Sequence, residues 1–307
     1  MTEVRGWPRI AGIGSTVYDT LMIVDRYPAE DTKQQGLRTK VQGGGPCATA
    51  LAAAQKLGVP AAYLGTVGDD PFGDFMMADF RKRGIDVGGV RTVKDEISFH
   101  AVVLLSQETS SRTCVWNRGT VPPPRPEELN TEYLLRAEVL HLDGHMPDAA
   151  LYAARFCREH GVKVSLDAGS LLPGIERLLP LTDYLIPSEE FSLRYTGCAT
   201  AEEAARSMYE AFRPEALVVT QGVKGGLLMD ERGLRKYASY PVEAVDTNGC
   251  GDTFHGAFAA AKIQGMDNDA ACRYASAAAA IKCTRLGARD AMPTDEECRR
   301  FLEKHGD

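Results

Sequence analysis

The sequence has no long basic run, no C-x-x-C pair, no helical histidine pair and no apolar stretch near the ~18 residues that a membrane helix needs. Its formal net charge is −7, from 35 Lys and Arg against 42 Asp and Glu. A chain of that sign lacks the positive field that general nucleic acid binding requires, so no nucleic acid partner is expected. A single nucleotide is another matter, because backbone amides, a few local cations and Mg²⁺ suffice to hold one. The eight cysteines lie scattered at 47, 114, 157, 198, 250, 272, 283 and 298, with spacing that does not suit zinc. They read as buried or incidental thiols in a reducing compartment. The N-terminal residues lack the basic-then-apolar pattern of a signal peptide. The expectation is a soluble, cytoplasmic protein with no membrane partner.

What is present is an ordinary globular mixture, 44% hydrophobic and 25% charged, with enough chain to bury a core. Short apolar runs alternate with helical stretches that stop at glycines. Strands are predicted at Ile10–Ile13, Ala61–Thr66, Glu138–Leu142, Val162–Asp167, Tyr184–Pro187 and Leu217–Thr220. Helices are predicted at Pro46–Leu57, Pro71–Arg83, Pro147–His160, Ala201–Phe212, Thr253–Gln264, Asp269–Thr284 and Asp295–Lys304. This rhythm indicates a three-layer α/β fold, a mainly parallel central sheet flanked by helices. Ligands of such folds bind beyond the carboxyl ends of the strands. Two segments, about 20–42 and 96–119, alternate in polarity without a following helix. They are predicted to leave the main body as antiparallel strands, to pair with each other and to form a small β-sheet lid. The whole chain, 1–307, is expected to be a single α/β domain, although ~150 residues per domain would suggest two.

The most specific motif is Asp246-Thr-Asn-Gly-Cys-Gly-Asp252, followed by Thr-Phe-His-Gly-Ala-Phe. Small residues before a helix let the amides of Gly249, Cys250 and Gly251 point into one space. That is an anion hole suited to the charge on a transferring phosphoryl group. Asp252, at the helix start, can accept the proton of an attacking hydroxyl. Taken alone, the same residues equally suit a tight turn whose aspartate caps the next helix.

Together with Gly43-Gly-Gly-Pro-Cys-Ala-Thr-Ala-Leu-Ala-Ala-Ala-Gln-Lys-Leu-Gly58, this motif resembles the signatures of the ribokinase, or PfkB, family of carbohydrate kinases. Gly12-Ile-Gly-Ser-Thr-Val-Tyr-Asp19, Gly65-Thr-Val-Gly-Asp-Asp70, Ser165-Leu-Asp167, Val219-Thr-Gln-Gly-Val-Lys-Gly-Gly226 and Thr284-Arg-Leu-Gly-Ala288 follow the family's order. The resemblance implies a ribokinase-like fold and transfer of the ATP γ-phosphoryl group to a hydroxyl, by preference primary, of a ketose or furanose. It implies Asp252 as catalytic base, with Gly249, Cys250 and Gly251 as anion hole. Asp19, Gly43, Gly44, Gly45 and Thr49 would hold the acceptor sugar. Lys33, Arg112 and Asn117, with Arg118, would reach it from the lid. Thr220, Gly222, Gly225, Ser188 and Ser276 would line the nucleotide site. Mg²⁺ is implied with ATP. Asp246 and Thr247, with carbonyls of Arg285–Ala288, resemble a monovalent-cation site of many members, so K⁺ is a further expectation. Exposed lid strands would offer an edge to a second copy, giving a homodimer.

The chain also departs from the family pattern. Many members carry Asn-x-x-Glu where this chain has Ser188-Glu189-Glu190-Phe191, which leaves Glu190, beside Glu189, as the metal candidate. Thr49 stands where an asparagine is usual, and Cys250 where alanine is more frequent. His141, His145 and His255 lie close to the motifs and face either the cleft or the core. The Gly-Gly-Gly-Pro, Phe-His-Gly-Ala and Lys282-Cys-Thr-Arg285 combination is similar to sulfofructose kinases and fructokinase-like members. A nucleoside kinase of the same family, or a sugar-binding regulator without catalysis, is the alternative reading. A nicotinamide dehydrogenase is disfavoured, because Gly12-Ile-Gly14-Ser-Thr-Val17 lacks a third glycine.

Overall fold

A computed structural model describes residues 7–109 and 111–306. In chain order, β1 (Ile10–Ile13) leads into β2 (Val17–Val24), β3 (Arg38–Gly44), α1 (Pro46–Lys56), β4 (Ala61–Tyr63), β5 (Gly65–Gly68) and α2 (Pro71–Arg83). Next come β6 (Val90–Val93), β7 (His100–Ser106), β8 (Arg112–Asn117), α3 (Thr131–Arg136), β9 (Val139–Leu142) and α4 (Pro147–Glu159). They are followed by β10 (Lys163–Ala168), β11 (Tyr184–Pro187), α5 (Glu189–Thr196), α6 (Ala201–Phe212) and β12 (Ala216–Thr220). The order ends with β13 (Gly226–Asp230), β14 (Gly233–Tyr237), α7 (Cys250–Ile263), α8 (Asn268–Cys283) and α9 (Asp295–His305).

Eight strands form one sheet in the order β14-β13-β12-β11-β10-β9-β1-β4. Neighbours from β4 to β12 pair in parallel, and β13 and β14 close the edge antiparallel. β1, β9 and β11 are buried along their whole length, as strands covered on both faces must be. One apolar cluster, around Leu51, Phe258 and Tyr274, joins α1, α7 and α8 to the sheet. The other, around Leu140, Leu166 and Met208, seats α4 and α6. Local signals fix the helix ends: Asp70 accepts the Gly73 N–H at 2.8 Å, Pro71 opens α2, and Gly84 closes it at φ 79°. No helix among the described residues is long and apolar enough to cross a membrane.

The lid is a four-stranded sheet in the order β3-β2-β7-β8. β2 with β3, and β7 with β8, are antiparallel, but β2 joins β7 in parallel. The expectation of antiparallel pairing throughout is corrected here. Each segment folds out and back, and the two pairs meet through their first strands. The predicted strand Ala61–Thr66 also divides. β4 pairs with β1, whereas β5 turns away to pair with β6 in a separate two-stranded sheet. The apolar run that spans both gives no local sign of the change of partner.

Candidate active site

The turn into α7 places the first chemical group. Gly249 adopts φ 78°, which costs a residue without Cβ little, and α7 begins at Cys250. A Cβ on Gly249 would meet the Ala288 Cβ at 3.1 Å, so this turn packs on the loop after α8. The space around Gly251 is open. First-turn amides lack intrahelical partners, so the helix start offers donors and a positive dipole end to an anion. The Cys250 amide also donates across the turn to the Thr247 carbonyl at 3.3 Å. Asp252, partly buried, accepts no hydrogen bond among the described residues. Burial pushes its carboxyl up to about 7; Asp167 and Asp143 add to the rise, and Arg289 and Arg112 oppose it. A carboxylate of that affinity is matched to taking a hydroxyl proton near neutral pH.

Asp19, on β2, shares the electrostatic neighbourhood of Asp252. It is 8% exposed and lies against Gly44, where an added Cβ would stand 2.1 Å from its Oδ2. Burial lifts Asp19 to about 6, with Arg289 opposing and Asp252 assisting. Gly43 packs just as closely on Arg289, and Gly45 takes φ 90° to turn the chain into α1. Thr49, expected at the sugar, is wholly buried with its hydroxyl 3.4 Å from Arg289 Nε. Its oxygen therefore holds the arginine. Arg289 itself was not evident from the motifs, although it directly follows the Thr284–Ala288 landmark. It donates to Asp79 at 2.7 Å and to the Gly44 carbonyl, tying α1, α2, β3 and the final loop together. Asp143, at the end of β9, accepts the Ser15 amide and hydroxyl and the Cys47 amide through one oxygen, and the His145 amide through the other.

Behind Asp252, Asp167 Oδ1 on β10 stands 3.3 Å from His255 Nε2 on α7. Burial and Asp143 push Asp167 up to about 7. Burial pushes His255 down to about 3 and lowers His141 as well, and among the described residues each keeps one buried ring nitrogen without a hydrogen-bond partner. Their rings pack 6.1 Å apart. His145 is likewise lowered by burial.

At the far end of the sheet, Thr220 closes β12 with its hydroxyl 3.5 Å from the Pro187 carbonyl. Gly222 takes φ 58° in open space, and Val223 beside it is 93% exposed, leaving an uncovered platform. Gly225 serves its own turn, since a Cβ there would meet the Tyr237 carbonyl at 2.1 Å. Ser276 is buried within α8. Ser188 caps α5 through the Phe191 amide at 3.1 Å and donates to the Gly169 carbonyl at 3.2 Å. Glu190 turns to solvent and pairs with Arg194 at 3.2 Å, so the expected metal role finds no geometry at that residue. Glu189 instead accepts from Gln221 at 2.7 Å, next to Gly222. Among the described residues, no group of three or more His, Cys, Asp or Glu forms a metal cluster.

From the lid, Arg112 at the start of β8 reaches Asn248 in the 246–252 turn at 3.5 Å. Asn117 and Lys33 are both exposed. Asn117 closes its own turn onto the Gly119 amide at 2.9 Å, and Lys33 stands exposed in the 25–37 connection. Arg118 instead donates to His145 Nδ1 at 2.8 Å, with Phe99 and Trp116 rings beside its guanidinium. Both line a cavity of about 140 Å³ that also touches Ser15, Thr16 and Met146.

Asp246 joins the turn to the final loop, accepting the Asn248 and Gly287 amides at 2.8 Å each. Its backbone carbonyl accepts from Lys282 Nζ at 2.7 Å. Thr247 is exposed. Cys250 and Cys283 meet where the start of α7 faces the end of α8, with Cα atoms 6.3 Å apart.

The pattern of a pfkB family carbohydrate kinase matches residues 8–295. An ATP-dependent ribose-1-phosphate kinase of Halopiger xanaduensis is 31% identical over 97% of this chain and 99% of its own length. A ribokinase of Haemophilus influenzae is 27% identical over 95% of this chain and 97% of its own. Among solved structures, Arabidopsis thaliana ribokinase complexed with ribose and ATP superposes with a TM-score of 0.86 at 27% identity, covering 97% of this chain and 99% of that one. Thermotoga maritima ribokinase gives the same TM-score and identity over 97% of this chain and 100% of that one. Matching landmarks, a common fold and relatives over nearly the whole length agree: the chain belongs to the pfkB family of carbohydrate kinases.

Proposed function

We propose that this protein transfers the γ-phosphoryl group of ATP to a hydroxyl, by preference primary, of a ketose or furanose, with Asp252 as general base. The observation that carries the reading is Asp252 itself. Its carboxylate has no internal partner, sits at the start of α7 beside first-turn amides, and is pushed up to about 7. Asp252 takes the hydroxyl proton as the sugar oxygen attacks phosphorus. The amides of Gly249, Cys250 and Gly251 stabilise charge on the transferring group. Asp19, beside Gly43–Gly45, accepts acceptor hydroxyls and so sets which oxygen faces Asp252. The Gly222 platform suits the nucleotide, as does the end of β12 at Thr220. Mg²⁺ would come with ATP and offset phosphate charge. Glu189, held by Gln221 beside Gly222, is the acid best placed to reach it through metal-bound water. Closure of the lid would keep water from competing as acceptor, with Arg112 reaching the turn from above. The fully exposed strand β8 suits pairing with a second copy as a homodimer.

A second acceptor class has its own support, a sugar that already carries an anionic group. Arg118 at the small cavity beside Ser15 and Thr16 is a cation suited to it. The ribose-1-phosphate kinase among the relatives acts on such a sugar by name.

Coupled ADP release with Mg·ATP across ketoses, pentoses, sugar phosphates, sulfosugars and nucleosides tests both readings. Strong stimulation by an unsubstituted ketose or furanose supports the first reading, and stimulation confined to anionic sugars supports the second. A nucleoside as the single stimulating acceptor would replace both, and a flat panel with ATP still bound would point to a binding protein.

A further inference from the structure

We propose that the ammonium group of Lys282 takes the place of a monovalent metal cation behind the phosphate-facing turn, which makes the enzyme independent of K⁺. The inference rests on the kinase reading above and concerns how its anion hole keeps its shape. Carbonyl and carboxylate oxygens gathered at Asp246 and the 285–288 loop are the donors a hard cation needs. Here the Asp246 oxygens already have a cation. The Lys282 side chain is wholly closed to solvent, its Nζ lies 2.7 Å from the Asp246 carbonyl oxygen and 3.9 Å from Asp246 Oδ2, and no other carboxylate among the described residues pairs with it. A buried ammonium persists only where oxygens replace its water.

A second observation comes from the other side of the same loop. Lys40 Nζ stands where a Cβ on Gly287 would meet it at 2.7 Å, and it pairs with Asp290 at 2.9 Å. Two ammonium groups therefore border the loop whose carbonyls would have to turn to a metal ion. A third positive charge there would be repelled by both. The residues present do not fit K⁺, and the cation expected from the motifs is built into the chain.

Lys282 is a positioning residue in this account. It orients the Asp246 carbonyl, and Asp246 in turn holds the Asn248 and Gly287 amides. That fixes the path of the chain into Gly249 and Cys250, where the proposed anion hole begins. Cys250 and Cys283 bring the same two helix ends together, next to Lys282 in sequence.

The test compares wild type, Lys282→Ala and Lys282→Met in buffers whose added salt is potassium, sodium or choline chloride. Both turnover and the thermal midpoint are read. Wild type is expected to show the same rate and midpoint in all three salts. Lys282→Ala, which vacates the ammonium position, is expected to lose at least about tenfold in turnover in choline and to regain much of it in potassium. Its thermal midpoint should rise in potassium alone. Lys282→Met, which fills the space without charge, should lose turnover and not be rescued. Activation of wild type by potassium overturns the proposal, and so does a Lys282→Ala protein indifferent to potassium. Should Lys282→Ala not fold in choline, wild-type salt dependence still decides. The thermal readout needs no acceptor, so a failed kinase assay leaves the cation result standing.

Discussion

Arg289 Nη1 donates to Asp79 Oδ2 at 2.7 Å, and both side chains are almost completely closed to solvent. The pair is not symmetrical. Asp79 keeps a second partner in Arg83 at 2.9 Å, whereas among the described residues Asp79 is the one carboxylate paired with Arg289. Asp79→Ala strands a buried guanidinium and is expected to cost about 3–5 kcal/mol of unfolding free energy. Arg289→Met leaves Asp79 with Arg83 and should cost less. Its main effect should be a raised KM for the acceptor, because the Gly44 carbonyl and Thr49 lose their anchor. Denaturant unfolding of both variants checks the order, and a larger loss in Arg289→Met would refute it.

Turnover should depend on pH through Asp252. The base works only when unprotonated, and burial with Asp167 and Asp143 raises it to about 7. The rate is therefore expected to rise with pH through neutrality and level off above it. Asp167→Asn removes a negative charge that favours protonation, so the rise should move to lower pH. A profile unmoved by Asp167→Asn would separate Asp167 from the base.

Gly44→Ala probes the acceptor side. The new Cβ would fall 2.1 Å from Asp19 Oδ2, and the aspartate must move. Displacement on that scale is expected to cost about 10²-fold in kcat/KM for the sugar, with ATP affinity unchanged. Equal losses for both substrates would place Asp19 outside the acceptor site.

Arg112→Ala tests the contact between lid and turn. With the 3.5 Å reach to Asn248 gone, kcat should fall by roughly tenfold or more while acceptor KM changes less. Wild-type turnover in this variant would return Arg112 to the role of a solvent-facing hairpin residue.

Much of this architecture is local and was therefore legible. The bounds of β1, α2, β11 and α6 match their predictions, because a cap, a proline or a glycine marks their ends. The two lid segments were also visible, since alternation without a following helix has few other readings. What escaped was set by distant partners. β5 leaves the main sheet within one apolar run, and the β13–β14 edge follows a glycine-rich turn with no period of its own. Arg289, Lys282 and the Cys250–Cys283 pair carry no local signature, because each acquires its meaning from residues on other elements.

The most direct measurement is ³¹P NMR of Mg·ATP with the acceptor that best stimulates ADP release, comparing wild type with Asp252→Asn. Wild type is expected to give a growing sugar phosphomonoester signal, and the variant to form it roughly 10³-fold more slowly with ATP binding retained. A variant that forms the ester at the wild-type rate would contradict the assignment of Asp252 as the base.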